Sequence, residues 1–275
     1  MSAPLVSVCV PVYNAEPYLE ETLRSVLAQS YQHWELVIVE NQSTDGSRAL
    51  IERLVNETAD ARLRVHLNDT HLDMASNMNR SLELARGEFV KILCADDTME
   101  PDCLAVQVRA LEEHPGAVMA ACARRIINAQ GRLLFHRRTF RREGLISGRS
   151  AIQGCLHAGT NLVGEPTMVL LRASALQGVP WLDAAAAYCV DLELWLRLLL
   201  RGDLVYTRLP LASFRVHGQA STRDNEARML ADFFGMVEGI ARQGNLSLSP
   251  LRLRWLKFQI PLQNAVRRWI YRWLG

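Results

Sequence analysis

Apolar and polar positions along this chain alternate between two periodicities. Short apolar runs at residues 5–10, 35–39, 63–67 and 88–93 are bounded by turn residues, the pattern of buried strands. Between them lie stretches with a 3.6-residue period. Residues 17–29 place Leu19, Leu23, Val26 and Leu27 on one face, and helices are also predicted over 47–56 and 73–85. Strands alternating with connections of helix length imply parallel βαβ units in a doubly wound sheet. The pattern then changes. Residues 117–127 and 132–140 are strand-like and meet at Asn128-Ala129-Gln130-Gly131, a hairpin signal. A strand at 167–171, a helix at 191–201, a strand at 204–216 and a helix at 222–242 follow. The last segment is basic and rich in Trp, with Pro261 expected to divide it into two short helices. No linker separates the halves, which are expected to share one sheet.

Composition narrows the class. Of 275 residues, 49% are hydrophobic and 22% charged, as in an ordinary globular protein. A net charge of +2 gives no argument for nucleic acid binding. The six cysteines form no C-x-x-C pair, so neither a disulfide framework nor a zinc site is implied, and a reducing compartment is expected. Residues 1–11 lack the basic region of a secretory leader, and no apolar stretch has the length of a membrane span. The expected location is the cytoplasm, with contact to the inner face of the membrane through 251–275. There Arg252, Arg254, Lys257, Arg267, Arg268 and Arg272 interleave with Trp255, Phe258, Trp269 and Trp273. That tail fits an interfacial anchor or an amphipathic helix packed on the body of the protein. The chain has no G-x-G-x-x-G after its first strand, no G-x-x-x-x-G-K and no G-x-S-x-G. These absences argue against dinucleotide-binding, Walker-type and α/β-hydrolase chemistry.

The most informative segment is Leu93-Cys94-Ala95-Asp96-Asp97, where an apolar strand ends in two adjacent acids. In open α/β sheets, ligands bind just beyond the carboxyl ends of strands. Two such acids fit either a strand-end turn or oxygen ligation of Mg²⁺ or Mn²⁺ bridging to a diphosphate.

Several strand ends together resemble the inverting nucleotide-sugar glycosyltransferases of family 2, which have the GT-A fold. Val10-Pro11-Val12-Tyr13-Asn14 resembles that family's V-P-x-Y-N, and residues 39–47 resemble V-D-D-G-S-T-D-G-S. Asn79 with Ala85-Arg86-Gly87-Glu88-Phe89-Val90 matches N…A-x-G-E-[FY]-[IV], and residues 93–97 resemble the metal-binding L-D-x-D-D. Asp191-Leu192-Glu193-Leu194-Trp195-Leu196-Arg197 is similar to E-D-x-D-L-W-L-R, and residues 214–221 to Y-R-x-H…S. The matches run in order over about the first 220 residues.

The resemblance implies a Rossmann-like α/β GT-A domain over 1–221, mostly parallel in its central sheet and flanked by helices. Residues 1–100 would bind the nucleotide sugar, 101–221 the acceptor, and 222–275 would form a helical extension. It implies transfer of a hexosyl or N-acetylhexosaminyl group, with inversion, from a nucleotide-diphosphate sugar to a glycan or lipid-linked acceptor. UDP is the favoured nucleotide, and cell-surface polysaccharide biosynthesis the favoured role. Asp96, Asp97 and His217 would hold a divalent metal, Mn²⁺ or Mg²⁺, and Asp191 would be the general base. Its position at a helix N-terminus is expected to keep its pKa low. Glu193 is the second choice of base, and Trp195 fits a sugar platform or the core. Pro11, Tyr13, Asn14, Glu16, Glu40, Asn41 and Asp96 would bind the donor: Tyr13 on the base face, Glu16 on the ribose, and Glu40 or Asn41 accepting from uracil N3–H. The chain departs from the pattern at Glu40-Asn41, Cys94 and Val190. Cys is a poor ligand for a hard cation. A catalytically impaired binding module is therefore the first rival reading, and a nucleotidyltransferase the second.

Overall fold

The computed structural model describes residues 3–179, 182, 190–217, 226–244 and 249–274, of which 226–230, 241 and 267–274 are described by backbone alone. Cys189, residues 218–221 of the His217 motif and residues 222–225 of the expected helix lie outside the described residues. In chain order the elements are β1 (Val6–Val12), α1 (Glu16–Leu27), β2 (Trp34–Glu40), α2 (Ser47–Thr58), β3 (Leu63–Leu67), α3 (Met74–Glu83), β4 (Phe89–Ile92) and β5 (Thr98–Met99). The second half contributes α4 (Cys103–Glu113), β6 (Ala117–Asn128), β7 (Leu133–Arg137), β8 (Gly144–Ile146), α5 (Gly148–Ala158), β9 (Val169–Arg172), α6 (Val190–Leu199), β10 (Asp203–Val216), α7 (Glu226–Gly244) and α8 (Pro250–Leu274).

All described strands belong to one sheet, ordered β3-β2-β1-β4-β9-β6-β10-β5, with β7 on β6 and β8 on β10. β1, β2, β3 and β4 pair in parallel. The sheet is mixed beyond them, because β9 runs antiparallel to both β4 and β6. β9 thereby splices the two halves into one core. Every residue of β1 and β2 is buried, as expected for central strands covered on both faces. Pro11 is tolerated in β1 for a specific reason. Cys9 accepts from Leu93 on the β4 side and Val12 accepts from Asn41 on the β2 side. The missing N–H of Pro11 therefore faces the β4 side, where the ladder has already ended.

The A-x-G turn before β4 is welded to β1 and β2 by a buried polar cluster. The Ser7 hydroxyl donates to Glu35 at 2.6 Å and accepts from the Arg86 and Gly87 amides at 3.0 and 2.8 Å. Glu35 also accepts from Arg86 N–H at 2.8 Å and from Arg64 at 2.7 Å. Burial alone would raise its pKa, but the bonds from Ser7, Arg64 and Arg86 outweigh burial and hold it below the usual range.

Several features depart from the sequence reading. Helices α4 and α5 and the short strands β5 and β8 were not anticipated. Thr167 lies in a 3-10 turn, Pro166–Met168, ahead of β9 rather than within the strand. Most visibly, α8 runs unbroken through Pro261 instead of splitting there. Proline removes one amide bond, here to the Lys257 carbonyl four residues back, and Lys257 is exposed, so water can satisfy that oxygen.

Gly87 tests the weld. A Cβ there would sit 2.6 Å from the Leu5 carbonyl and 2.7 Å from Ser7 N and Phe89 O, all backbone atoms. Gly87→Ala is expected to lower unfolding free energy by about 2–3 kcal/mol, the upper range for overpacking, measured by urea denaturation. A loss too small to resolve would show that β1 and β4 can part at this point.

Candidate active site

The loops after β1 and β2 are laced together. Asn14, in the left-handed region at φ 48°, accepts from Thr44 N–H at 2.8 Å while its own N–H donates to Ser43 at 3.1 Å. Glu16 N–H donates to Asp45 at 3.0 Å, and Gly46 N–H returns a 2.8 Å bond to the Glu16 carboxylate. Glu16, expected on a ribose, is thus engaged as a clasp for the second loop.

The pair expected to read a base edge is also committed inside the protein. Glu40 is buried, and its oxygens accept from Ser43 N–H at 2.6 Å and Gln42 N–H at 3.3 Å. Asn41 Oδ1 accepts from Leu72 N–H and Asn68 Nδ2, both at 2.9 Å, while its Nδ2 donates to the Leu72 carbonyl at 2.8 Å. A carbonyl oxygen with two donors has no lone pair left for uracil N3–H. What does face outward is Tyr13, exposed beside His71 with ring centroids 4.4 Å apart. His71, from the β3–α3 loop, was not singled out in the sequence; no periodicity marks a loop residue.

The turn after β4 separates its two acids. Asp97 points inward and is 1% exposed. One of its oxygens accepts from the Thr167 hydroxyl at 2.6 Å and the other from Arg215 N–H at 2.9 Å. Burial first, then neighbouring Asp96, push its pKa well above the usual carboxylate range. Asp96 is partly exposed, and its Oδ2 lies 2.8 Å from His217 Nε2. Arg215 Nε donates to the Asp96 carbonyl at 2.7 Å, and Tyr18 of α1 packs between His217, at 4.8 Å, and the Arg215 guanidinium, also at 4.8 Å. The Thr22 hydroxyl pins the turn from below, 2.8 Å from the Asp97 carbonyl. Tyr18, Thr22 and Thr167 were likewise missed: each acts through a contact remote in sequence.

Among the described residues, one group has the ligand atoms for a metal: Cys94, Asp96 and Asp97, all within 4.8 Å of one another. Burial and the adjacent acids raise the Cys94 thiol's pKa, keeping it protonated and a poor ligand. Asp97 is buried and turned inward onto Thr167 and Arg215, so the donors best placed to face a divalent ion are the partly exposed Asp96 carboxylate and the His217 imidazole.

Asp191 lies in the first turn of α6, partly exposed, with Asn161 donating to one oxygen at 2.9 Å and Leu192 N–H to the other at 2.7 Å. Its pKa is not low, as its helix position suggested. Burial foremost, then nearby Glu165, raise it to about 6, outweighing both bonds and the Arg124 guanidinium. Glu193 is held in an ion pair with Arg197. Trp195 is buried, donating to the Gly164 carbonyl at 2.9 Å, so of its two expected roles the core one is realised. Asn79 bridges α3 to Leu182, donating at 2.8 Å and accepting at 3.1 Å.

The helix-flanked α/β sheet, with polar loops at its carboxyl strand ends, matches structures of the GT-A class of fold. The family model "Glycosyl transferase family 2" matches residues 7–178, and the chain belongs to that family and is a glycosyltransferase. An uncharacterised protein of Mycobacterium tuberculosis is 33% identical over 225 residues, 79% of this chain and 69% of that protein. TuaG of Bacillus subtilis, a glycosyltransferase provisionally assigned to teichuronic acid biosynthesis, is 41% identical over 110 residues, 40% of this chain and 43% of TuaG. Among solved structures, S. aureus TarS with UDP-GlcNAc superposes with a TM-score of 0.70 at 20% identity, covering 91% of this chain and 70% of that one. The mannosyltransferase PcManGT from Pyrobaculum calidifontis, with GDP-Man and Mn²⁺, gives 0.63 at 18% identity over 96% of this chain and 76% of that one. At such identities the two structures attest the shared fold.

The elevated Asp191 carboxyl makes a signed prediction. Between its usual 3.8 and about 6, the folded protein holds a proton that the unfolded chain has lost, so stability falls as pH rises through that window. Relative to Asp191→Asn, the wild type is expected to lose on the order of 2 kcal/mol between pH 4 and pH 7, read from urea unfolding of both proteins. Parallel pH profiles would mean that Asp191 is not raised in the fold.

Proposed function

We propose that this glycosyltransferase moves a sugar from a nucleotide-diphosphate sugar to a hydroxyl of a glycan or lipid-linked acceptor, with inversion, in cell-surface polysaccharide biosynthesis. The observation that carries this reading is the Asp96–His217 contact between the turn after β4 and the end of β10, together with a carboxylate, Asp191, whose pKa of about 6 suits a general base. Asp191 lies close enough to Cys94 for its charge to raise that thiol, which supports both acids facing one reaction space.

In this reading, Asp96 and His217 would hold the divalent ion, Mn²⁺ or Mg²⁺, with Asp97 supporting them from behind through Thr167 and Arg215. The ion, when bound, would supply Lewis-acid stabilisation of charge developing on the leaving diphosphate. Asp191 accepts the proton of the acceptor hydroxyl as that oxygen attacks the anomeric carbon from the face opposite the diphosphate. Asn161 and the Leu192 amide fix its orientation. Tyr13 and His71 offer ring faces to the base, with Pro11 and Asn14 shaping the loop beneath. Glu16, Glu40 and Asn41 then contribute by holding the loops rather than by touching the donor. A UDP-hexose or UDP-N-acetylhexosamine is the favoured donor, supported by the UDP-GlcNAc bound to TarS. The acceptor class is supported by the pathway named for TuaG. A lipid-linked acceptor would place the enzyme at the inner face of a membrane.

Donor hydrolysis and transfer, assayed over a panel of nucleotide sugars with and without Mn²⁺, test this. Asp191→Asn is expected to lower turnover by roughly 10²–10⁴-fold while leaving donor affinity near wild type. Asp96→Ala should abolish the Mn²⁺-dependent part of donor binding. Full turnover in Asp191→Asn would remove the base assignment, and turnover indifferent to divalent ions would remove the metal.

A further inference from the structure

We infer that α8 is a two-faced helix that docks on the catalytic body with one side and lies on an anionic lipid surface with the other. The inference deepens the membrane part of the reading above and rests on that part alone, not on the chemistry of transfer.

The inner face, over the described side chains, packs on the body of the protein. Leu256 and Ile260 are buried against Gly159, the left-handed residue that ends α5; a Cβ there would come within 2.8 Å of Leu256 and 2.9 Å of Ile260. Carbonyls at the end of a helix lack intrahelical partners. Three α8 side chains meet them: Gln259 and Gln263 donate to the Ala158 carbonyl at 3.1 and 3.4 Å, and Arg252 donates to that of His157. Lys257 packs over the Phe234 ring of α7 at 5.6 Å.

The outer face is apolar and open. Leu251, Trp255, Phe258, Leu262 and Val266 recur every three or four residues, one stripe of a helix, and each is 49–79% exposed. Twelve large apolar residues are exposed among those described; five of them form this stripe and the other seven lie on other elements and loops.

Charge selects the occupant. The chain carries 31 Lys and Arg against 29 Asp and Glu; residues 250–275 hold six of the former and none of the latter. The remainder is therefore net acidic by four, and the segment bearing the stripe carries a strong positive excess with no acid to offset it. Arg254 is exposed and flanks it. Trp and Phe on one face with Arg alongside suit the boundary between acyl chains and anionic headgroups. No described helix is long and apolar enough to cross a membrane, so α8 would lie in the surface plane.

Vesicle co-sedimentation of the full chain tests the inference, with pure phosphatidylcholine compared against phosphatidylcholine mixed with phosphatidylglycerol. The wild type is expected to bind the mixed vesicles, and to bind them less as salt rises. Trp255→Ser/Phe258→Ser should weaken that binding at least tenfold, and Arg254→Ser should lower the preference for phosphatidylglycerol. Circular dichroism and urea midpoints confirm that both variants fold, and donor turnover should be unchanged in each. Absent binding by the folded wild type, or equal binding by the Trp255/Phe258 variant, overturns the inference. So does a concentration-dependent dimer that the same variant dissolves, since a second copy would then cover the stripe. Vesicle binding without donor turnover would leave this inference standing and sink the proposed chemistry instead.

Discussion

Asp97 is a carboxylate with almost no access to water, and the whole reactive end of the sheet is organised around keeping it there. A buried carboxyl is tolerated only when donors replace its hydration. The donors come from two places far apart in sequence, the Thr167 hydroxyl ahead of β9 and the Arg215 amide of β10. Satisfying one side chain therefore locks the turn after β4 to β9 and β10 of the second half. The consequence falls on the neighbour: with Asp97 turned in, Asp96 must turn out, toward His217 on the continuation of β10. Tyr18, between the His217 ring and the Arg215 guanidinium, draws α1 into the same arrangement.

The same logic governs the loops beyond β1 and β2. Asn14, Glu16, Glu40 and Asn41 look like ligand-binding residues because they are polar and lie at carboxyl strand ends. In the fold their polar atoms are directed at groups of their own and neighbouring loops, and the loops become rigid as a result. The exposed Tyr13–His71 pair then stands on a braced support. Rigidity of this sort is itself useful to a catalyst, because a preorganised site needs little rearrangement when the reaction occurs.

Much of the architecture was legible along the chain because periodicity is a local property. β3 coincides with its expected span, and α1, α2 and α3 lie within a few residues of theirs. Failures occurred where tertiary partners alter what a residue means. α4 was hidden because Gln107, polar, occupies its buried face; its partner is the buried Lys91 ammonium of β4, at 2.9 Å. α5 was hidden by Gly148 and Gly154, unfavourable in a helix; at Gly148 a Cβ would strike the Leu199 and Gly202 carbonyls. In α8 the proline signal was real, but packing of the inner face against α5 outweighs one lost amide bond.

The amino-acid order by itself determined the βαβ alternation, the strand-end positions of the acids, the family resemblance and the concentration of positive charge in the last 26 residues. Those depend on composition and spacing, which a linear reading preserves. Only the tertiary structure decided which of two adjacent acids faces outward, that the Asp191 carboxyl titrates near 6 instead of low, and which side of α8 remains uncovered. Each of these is set by burial and by donors arriving from distant segments. A helix dipole can be anticipated from position, but the desolvation that overrides it at Asp191 exists only once Glu165 and the surrounding chain have closed around it.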